Sequence, residues 1–134
     1  MESEWINKGE TKRLEGFSEM KTKTYMVEAG GFQNRGGWTL DTQFTVNMGS
    51  PYLIAHGTGN PVSDAKATFS VTEAGEYRLF AFTKNWVAGW APSYTPGVFT
   101  VTVNERETGF RFGNNGVDWG WQYGGIVSLG ASEN

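Results

Sequence analysis

Apolar and polar residues alternate along the chain in short runs, each closed by glycine, proline, asparagine or aspartate. Alternation at period two puts every second side chain on one face of an extended strand. "KATFSV" sets Ala67, Phe69 and Val71 against Lys66, Thr68 and Ser70, and "VFTVTV" sets Phe99, Val101 and Val103 against Thr100 and Thr102. "TYMVEA", "WTLDTQFTV", "YLIAHG" and "FRFG" predict further strands, "YRLFAFTK" a more apolar, central one, and "GIVSLG" the last. Between them "GGFQNRGG", "NMGSP", "GTGNPVSDA", "TEAGEY", "NWVAGWAPSYTPG", "NERETG" and "NNG" carry turn and loop chemistry. No amphipathic helical period follows Thr24. Roughly eight or nine strands so punctuated predict an all-β fold, an antiparallel two-sheet β-sandwich with jelly-roll connections. The rival is an immunoglobulin-like sandwich, whose Cys–Trp–Cys core has no counterpart here.

The stretch "GVDWGWQYGG" places Trp119, Trp121 and Tyr123 on one strand face, with Asp118, Gly120, Gln122 and Gly124 between them. Burying a large apolar side chain contributes about 1.5–3 kcal/mol, so the stripe predicts core. Trp121 and Tyr123 are assigned to core or sheet packing, while Trp119, nearer the loop, fits either core or site. Trp38, at a strand start after "RGG", reads as structural. The loop "NWVAGWAPSY" holds Trp86, Trp90 and Tyr94 with Gly89 and Pro92. A long, proline-stiffened aromatic loop is costly to expose unless it packs on the sandwich or meets a ligand. Trp86 and Trp90 are therefore the candidates for exposed rings.

Composition narrows the classes. The chain has 134 residues, enough for one domain with its own core. It holds 19 glycines and 15% aromatic residues, including six Trp, which suits a turn-rich β scaffold. A net charge of −3 argues against nucleic acid or an anionic membrane as partner, and no apolar run is long enough for a membrane span. Without cysteine there is neither a disulfide framework nor a thiolate metal site. "MESEWINKGE" is acidic and polar, unlike a secretory leader. Residues 1–23 carry many charges and few apolar anchors (Trp5, Ile6, Leu14, Phe17) and read as a lead-in or linker. Residues 24–134 read as a β-sandwich module of a longer protein.

Candidate chemistry favours binding over catalysis. The single histidine, His56, has no nucleophile or orienting acid beside it in sequence, and Asp41, Asp64 and Asp118 are widely spaced. No nucleophile elbow, zincin or phosphate-loop pattern occurs. The loops instead combine apolar area with hydroxyl-binding groups. Aromatic rings meet the C–H faces of sugars, while amides, acids and imidazoles bond their hydroxyls. Trp86, Trp90, Tyr94 and Trp119 supply rings; Asp41, His56, Asn85 and Asp118 supply polar contacts, with Asn34, Arg35, Asn115 and Gln122 in the same loops. Single-stranded nucleic acid also stacks on aromatics but needs a basic groove.

"VEAGGFQNRGGWTLDTQF", "MGSPYLIAHGTGNPVSDA", "AGEYRLFAFTKNWVA" and "GVDWGWQYGG" together resemble bacterial accessory modules of the galactose-binding-like jelly-roll group. Such modules are appended to polysaccharide-degrading enzymes and to certain secreted FAD-dependent oxidoreductases. The resemblance covers about Tyr25 to Leu129. "EAGGF" and "AGEYRL" also look like pieces of carbohydrate-binding modules that open on a Glu-Ala-Glu signature, with Gly30 standing where the second Glu would be. The resemblance implies a β-sandwich, an extracytoplasmic setting, oligo- or polysaccharide binding and a parent catalytic domain. It also implies a structural calcium at positions matching Glu28 and Asp118, although no cofactor is required. The leading expectation is a non-catalytic module that targets a parent protein to a glycan. The second is an interaction domain that packs on its parent and binds no sugar. A small glycan-active enzyme using Asp118 with His56 or Asp41 is the third.

Overall fold

The computed structural model describes residues 23–57 and 59–134. The lead-in anchors Trp5, Ile6, Leu14 and Phe17 lie outside the described residues. Among the described residues, eight strands, one four-residue helix and one 3₁₀ turn make up the regular structure, so the described fold is all-β. The strands are β1 (Trp38–Asp41), β2 (Tyr52–Ala55), β3 (Ser70–Val71), β4 (Gly75–Thr83), β5 (Thr102–Val103), β6 (Arg106–Glu107), β7 (Gly120–Leu129) and β8 (Ser132–Glu133). They pair antiparallel as β1–β2, β3–β8, β4–β7 and β5–β6.

The pairs are nested. β5–β6 is innermost, extended by mutual hydrogen bonds between Phe99 and Phe112, then β4–β7, then β3–β8, closed by mutual bonds between Phe69 and Asn134. A second nested set joins β1 to β2 and, outside it, Asn34 to Lys66. Within each set the paired segments are separate two-stranded ladders joined by unpaired stretches.

The β4–β7 ribbon organises the interior. Leu79, Ala81 and Thr83 lie on its inner face, with Ala81 and Thr83 opposite Gln122 and Gly120 in register. A Cβ at Gly124 would run into the Phe112 ring and Leu79, so the absence of a side chain there makes room for that ring. Phe112 is fully buried and stacks on Phe99 at 5.5 Å, and Phe99 meets Trp38 edge-on at 5.6 Å. Truncating such a ring to alanine costs about 3–5 kcal/mol. Beside it, Gln122 Oε1 accepts from the Thr83 hydroxyl (2.6 Å) and the Gly113 amide (2.7 Å), while its Nε2 donates to Asn114 Oδ1 (2.8 Å). Buried polar atoms are thereby satisfied where the ribbon meets the "NNG" turn.

Local structure follows sequence in part. "FRFG" forms no strand and contributes only an isolated bridge from Phe112 to Phe99. The alternation of "KATFSV" and "VFTVTV" holds in burial, although only Ser70–Val71 and Thr102–Val103 form ladders. "WTLDTQFTV" is not one strand. Asp41 Oδ1 accepts from the amides of Thr42 (2.8 Å) and Gln43 (3.2 Å), turning the chain into helix α1 (Thr45–Met48), which Gly49 ends at φ 95°. "TYMVEA" forms no strand; Tyr25 is held by Thr72, and a 3₁₀ turn follows at Ala29–Gly31. The aromatic stretch and "GIVSLG" form a single strand, β7. Phe80 faces Tyr123 and Arg78 faces Ile126, so Leu79 stands opposite two residues, Gly124 and Gly125. That bulge is accommodated by Gly125 at φ 86°.

Candidate functional site

The outer face of the β4–β7 ribbon is aromatic. Phe80 and Phe82 on β4 stand directly across from Tyr123 and Trp121 on β7, with ring centroids 5.3 and 4.9 Å apart. Such cross-strand ring pairs add about 0.5–1.5 kcal/mol beyond the area they bury. Past the bulge, Ile126 returns to the same face, because its partner Arg78 shares a face of β4 with Phe80. Phe110, after Gly109 at φ 79°, meets Tyr123 edge-on at 5.9 Å, and its ring lies against Gly125, where a Cβ would come within 2.6 Å. Trp121, Tyr123, Phe110 and Ile126 are 37%, 46%, 42% and 53% exposed. Four large apolar side chains in the open beside one another form a patch, which single surface residues do not.

Trp121 and Tyr123, assigned to core or sheet packing, pack across the sheet on Phe82 and Phe80 but are not core. Alternation groups Trp119, Trp121 and Tyr123 correctly on one face, but the buried face is the other one. Phe112 fills the space under Gly124, so the glycines mark the core side and the rings face outward.

Toward the start of β7 the outer face closes over. Trp119 stacks on Phe82 (5.8 Å, 16° between planes) and packs on Tyr52 at 5.0 Å. Tyr52 is 3% exposed and adjoins Trp86, which meets Phe44 edge-on at 5.2 Å. The Lys84 ammonium lies 4.9 Å from the Trp86 ring and 5.5 Å from Phe44, a cation–π arrangement. Trp86 is thus half-buried and braced on several sides, which corrects its reading as a freely exposed ring. Trp119 Nε1 is buried without a hydrogen-bond partner among the described residues.

The Tyr52 hydroxyl donates to Asp41 Oδ2 at 2.7 Å and accepts from the Phe44 amide at 3.3 Å. The hydrogen bond from Tyr52 holds the Asp41 carboxyl below its usual range, helped by the Gln43 and Thr42 amides and the nearby His56. Burial, then the adjacent Asp41, pushes the Tyr52 phenol up. Asp41 is therefore engaged in holding β1, β2 and α1 together.

The remaining candidate residues are dispersed. Asn85 is 2% exposed, with Nδ2 donating to the Tyr94 carbonyl (3.0 Å), Oδ1 accepting from the Val87 amide (3.4 Å) and its own amide bonded to Gly116 O (2.9 Å). It pins the aromatic loop to the "NNG" turn and is closed to a ligand, contrary to the sequence reading. On that loop Trp90 is 74% exposed and Tyr94 is exposed too, without ring contacts to the patch among the described residues. His56, just after β2, and Asp118, just before β7, are exposed. Glu28 is exposed at the start of the 3₁₀ turn, and its carbonyl accepts from Gly31. No group of three or more His, Cys, Asp or Glu comes together among the described residues, so a calcium held by Glu28 and Asp118 would draw most of its six to eight oxygens from carbonyls or water. No described helix is long and apolar enough to cross a membrane.

The residues missed from sequence are Phe80, Phe82, Phe110 and Ile126. For Phe80 and Phe82 the signal was present, since "FAF" carries an aromatic at every second position as "WGWQY" does; "FRF" has the same spacing, but its Phe112 is buried while Phe110 is exposed. Comparison with protein-family models, curated proteins and solved structures found no match.

Proposed function

We propose that this chain is a non-catalytic carbohydrate-binding module of jelly-roll type, and that the outer face of β4–β7 is where the glycan stacks. One observation carries the reading: Trp121, Tyr123 and Phe110 are open to solvent yet fixed by ring contacts and by the bulge beneath them. A rigid ring loses little freedom on meeting a sugar face, so stacking area converts efficiently into affinity. The nested strand pairing supports the jelly roll, which is an antiparallel ribbon rolled into two sheets. Trp90 and Tyr94 form a separate contact on the loop. In this reading the module serves a parent enzyme or surface protein in an extracytoplasmic setting, and a calcium at Glu28 and Asp118 is an accessory to the fold.

The test is calorimetric titration of a neutral glycan panel, with affinities of about 1 mM to 1 μM for those that bind. Trp121→Ala and Tyr123→Ala should each weaken binding at least about tenfold, a loss of about 1.4 kcal/mol. Trp90→Ala should weaken it less. Undiminished binding by the first two variants overturns the site.

Ile126 favours a second reading. An aliphatic side chain half in the open beside aromatics suits a protein surface better than a sugar. The patch would then pack on a neighbouring domain of a longer protein. The two readings separate on one result: in the second, the isolated chain binds no member of the panel.

A further inference from the structure

A groove of about 320 Å³ lies between the β5–β6 hairpin and the second half of β7. Val103, Ile126 and Val127 give it an apolar lining, and Arg106, Glu107 and Thr108 line it with donors and acceptors. Ile126 belongs both to this groove and to the outer face that carries Tyr123 and Trp121. Patch and groove are therefore one continuous surface along β7. At a rise of about 3.3 Å per residue, Trp121 to Ser128 spans roughly 20 Å, well beyond one sugar ring.

From this continuity we infer that the site reads an internal run of an extended, uncharged glycan, with rings stacked on Trp121, Tyr123 and Phe110 and the following sugars lying in the groove. The inference rests on the carbohydrate reading and narrows its ligand. The argument for a neutral chain is the charge in the groove: one arginine and one glutamate, which cancel. A sugar hydroxyl both donates and accepts, and Arg106, Glu107 and the Thr108 hydroxyl offer both complements within one groove. The hairpin wall is held in place as well. Asn104 Nδ2 donates to the Ser128 carbonyl (3.4 Å) and to Asn134 Oδ1 (2.9 Å), tying the β5–β6 turn to β7.

The experiment is a length ladder on the full chain. Trisaccharides and hexasaccharides of β-1,4-glucan, β-1,4-mannan, β-1,4-xylan and α-1,4-glucan are titrated by calorimetry, with hexagalacturonate as the charged comparison. For a polymer that binds, the hexasaccharide should bind at least tenfold tighter than the trisaccharide. Arg106→Ala and Glu107→Ala should reduce that advantage to about twofold and leave trisaccharide affinity unchanged, with circular dichroism confirming that both variants fold. Equal affinity for the two lengths, an equal loss for both lengths in Arg106→Ala, or tighter binding of hexagalacturonate overturns this inference but leaves the stacking site intact. Failure of every glycan to bind overturns the carbohydrate reading itself, and the inference with it.

Discussion

Asp41 receives three donors: the Tyr52 hydroxyl at 2.7 Å and the Thr42 and Gln43 amides at 2.8 and 3.2 Å. All three favour the ionised carboxylate, the tyrosine most, so its folded pKa lies below the ordinary 3.8. A carboxylate depressed in this way contributes stability that is complete above its unfolded pKa and is lost as pH falls through the folded one. The wild-type denaturation midpoint should therefore drop as the pH is lowered below about 4. Asp41→Asn, which keeps one acceptor oxygen for the Thr42 and Gln43 amides but does not titrate, should show a flatter acid slope. Parallel acid limbs for the two proteins would contradict this role. At this scale sequence separated structure from site poorly. Asp41 and Asn85 have the chemistry of hydroxyl ligands, but the structure commits both to internal hydrogen bonds. Which donors surround a short polar side chain depends on contacts between segments distant in the chain, and no spacing rule supplies them.

Among the elements, β7 decides the most. Period-two alternation revealed its two faces but not which one is covered. Bulk suggests that the ring face is buried. The structure buries the glycine face instead, because a fully buried ring, Phe112, arrives from outside the strand and occupies the space above Gly124. Gly124→Ala tests this directly. Its new methyl group would collide with Phe112 and Leu79, and overpacking of this kind costs about 1–3 kcal/mol. Were Gly124 on the open face, alanine would instead be neutral or stabilising, since it restricts the unfolded chain. Urea unfolding of the two proteins distinguishes these outcomes. The short β1 has a comparable lesson. The stretch "TQFTV" after Asp41 promised a longer strand, and hydrogen bonds from the Thr42 and Gln43 amides to the Asp41 carboxylate turn the chain away from it just before the helix.

At the scale of the molecule, alternation and turn chemistry were enough to read the described residues as all-β without long helices. They did not give the pairing, since nested partners such as Val71 and Ser132 are distant in sequence. Nesting matters for function because it brings the 75–83 and 120–129 segments side by side and sets their aromatic positions ring to ring. The same arrangement leaves one side of the ribbon packed on Phe112, Phe99 and Trp38 and the other side open at Trp121 and Tyr123. The aromatic loop that stood out in sequence is split: Trp86 is built into the ring cluster under Lys84, while Trp90 remains in solvent.

The open ring face is best tested by amide and indole nitrogen–proton NMR spectra recorded as the neutral hexasaccharides are added. The account predicts that the Trp121 indole signal and the backbone signals of Phe110, Tyr123 and Ile126 shift together and saturate, while that of Trp86 holds its position and that of Trp90 moves less. Shifts centred on Trp90 and Tyr94 with residues 121–126 unmoved, or no shift with any of the glycans, would contradict it.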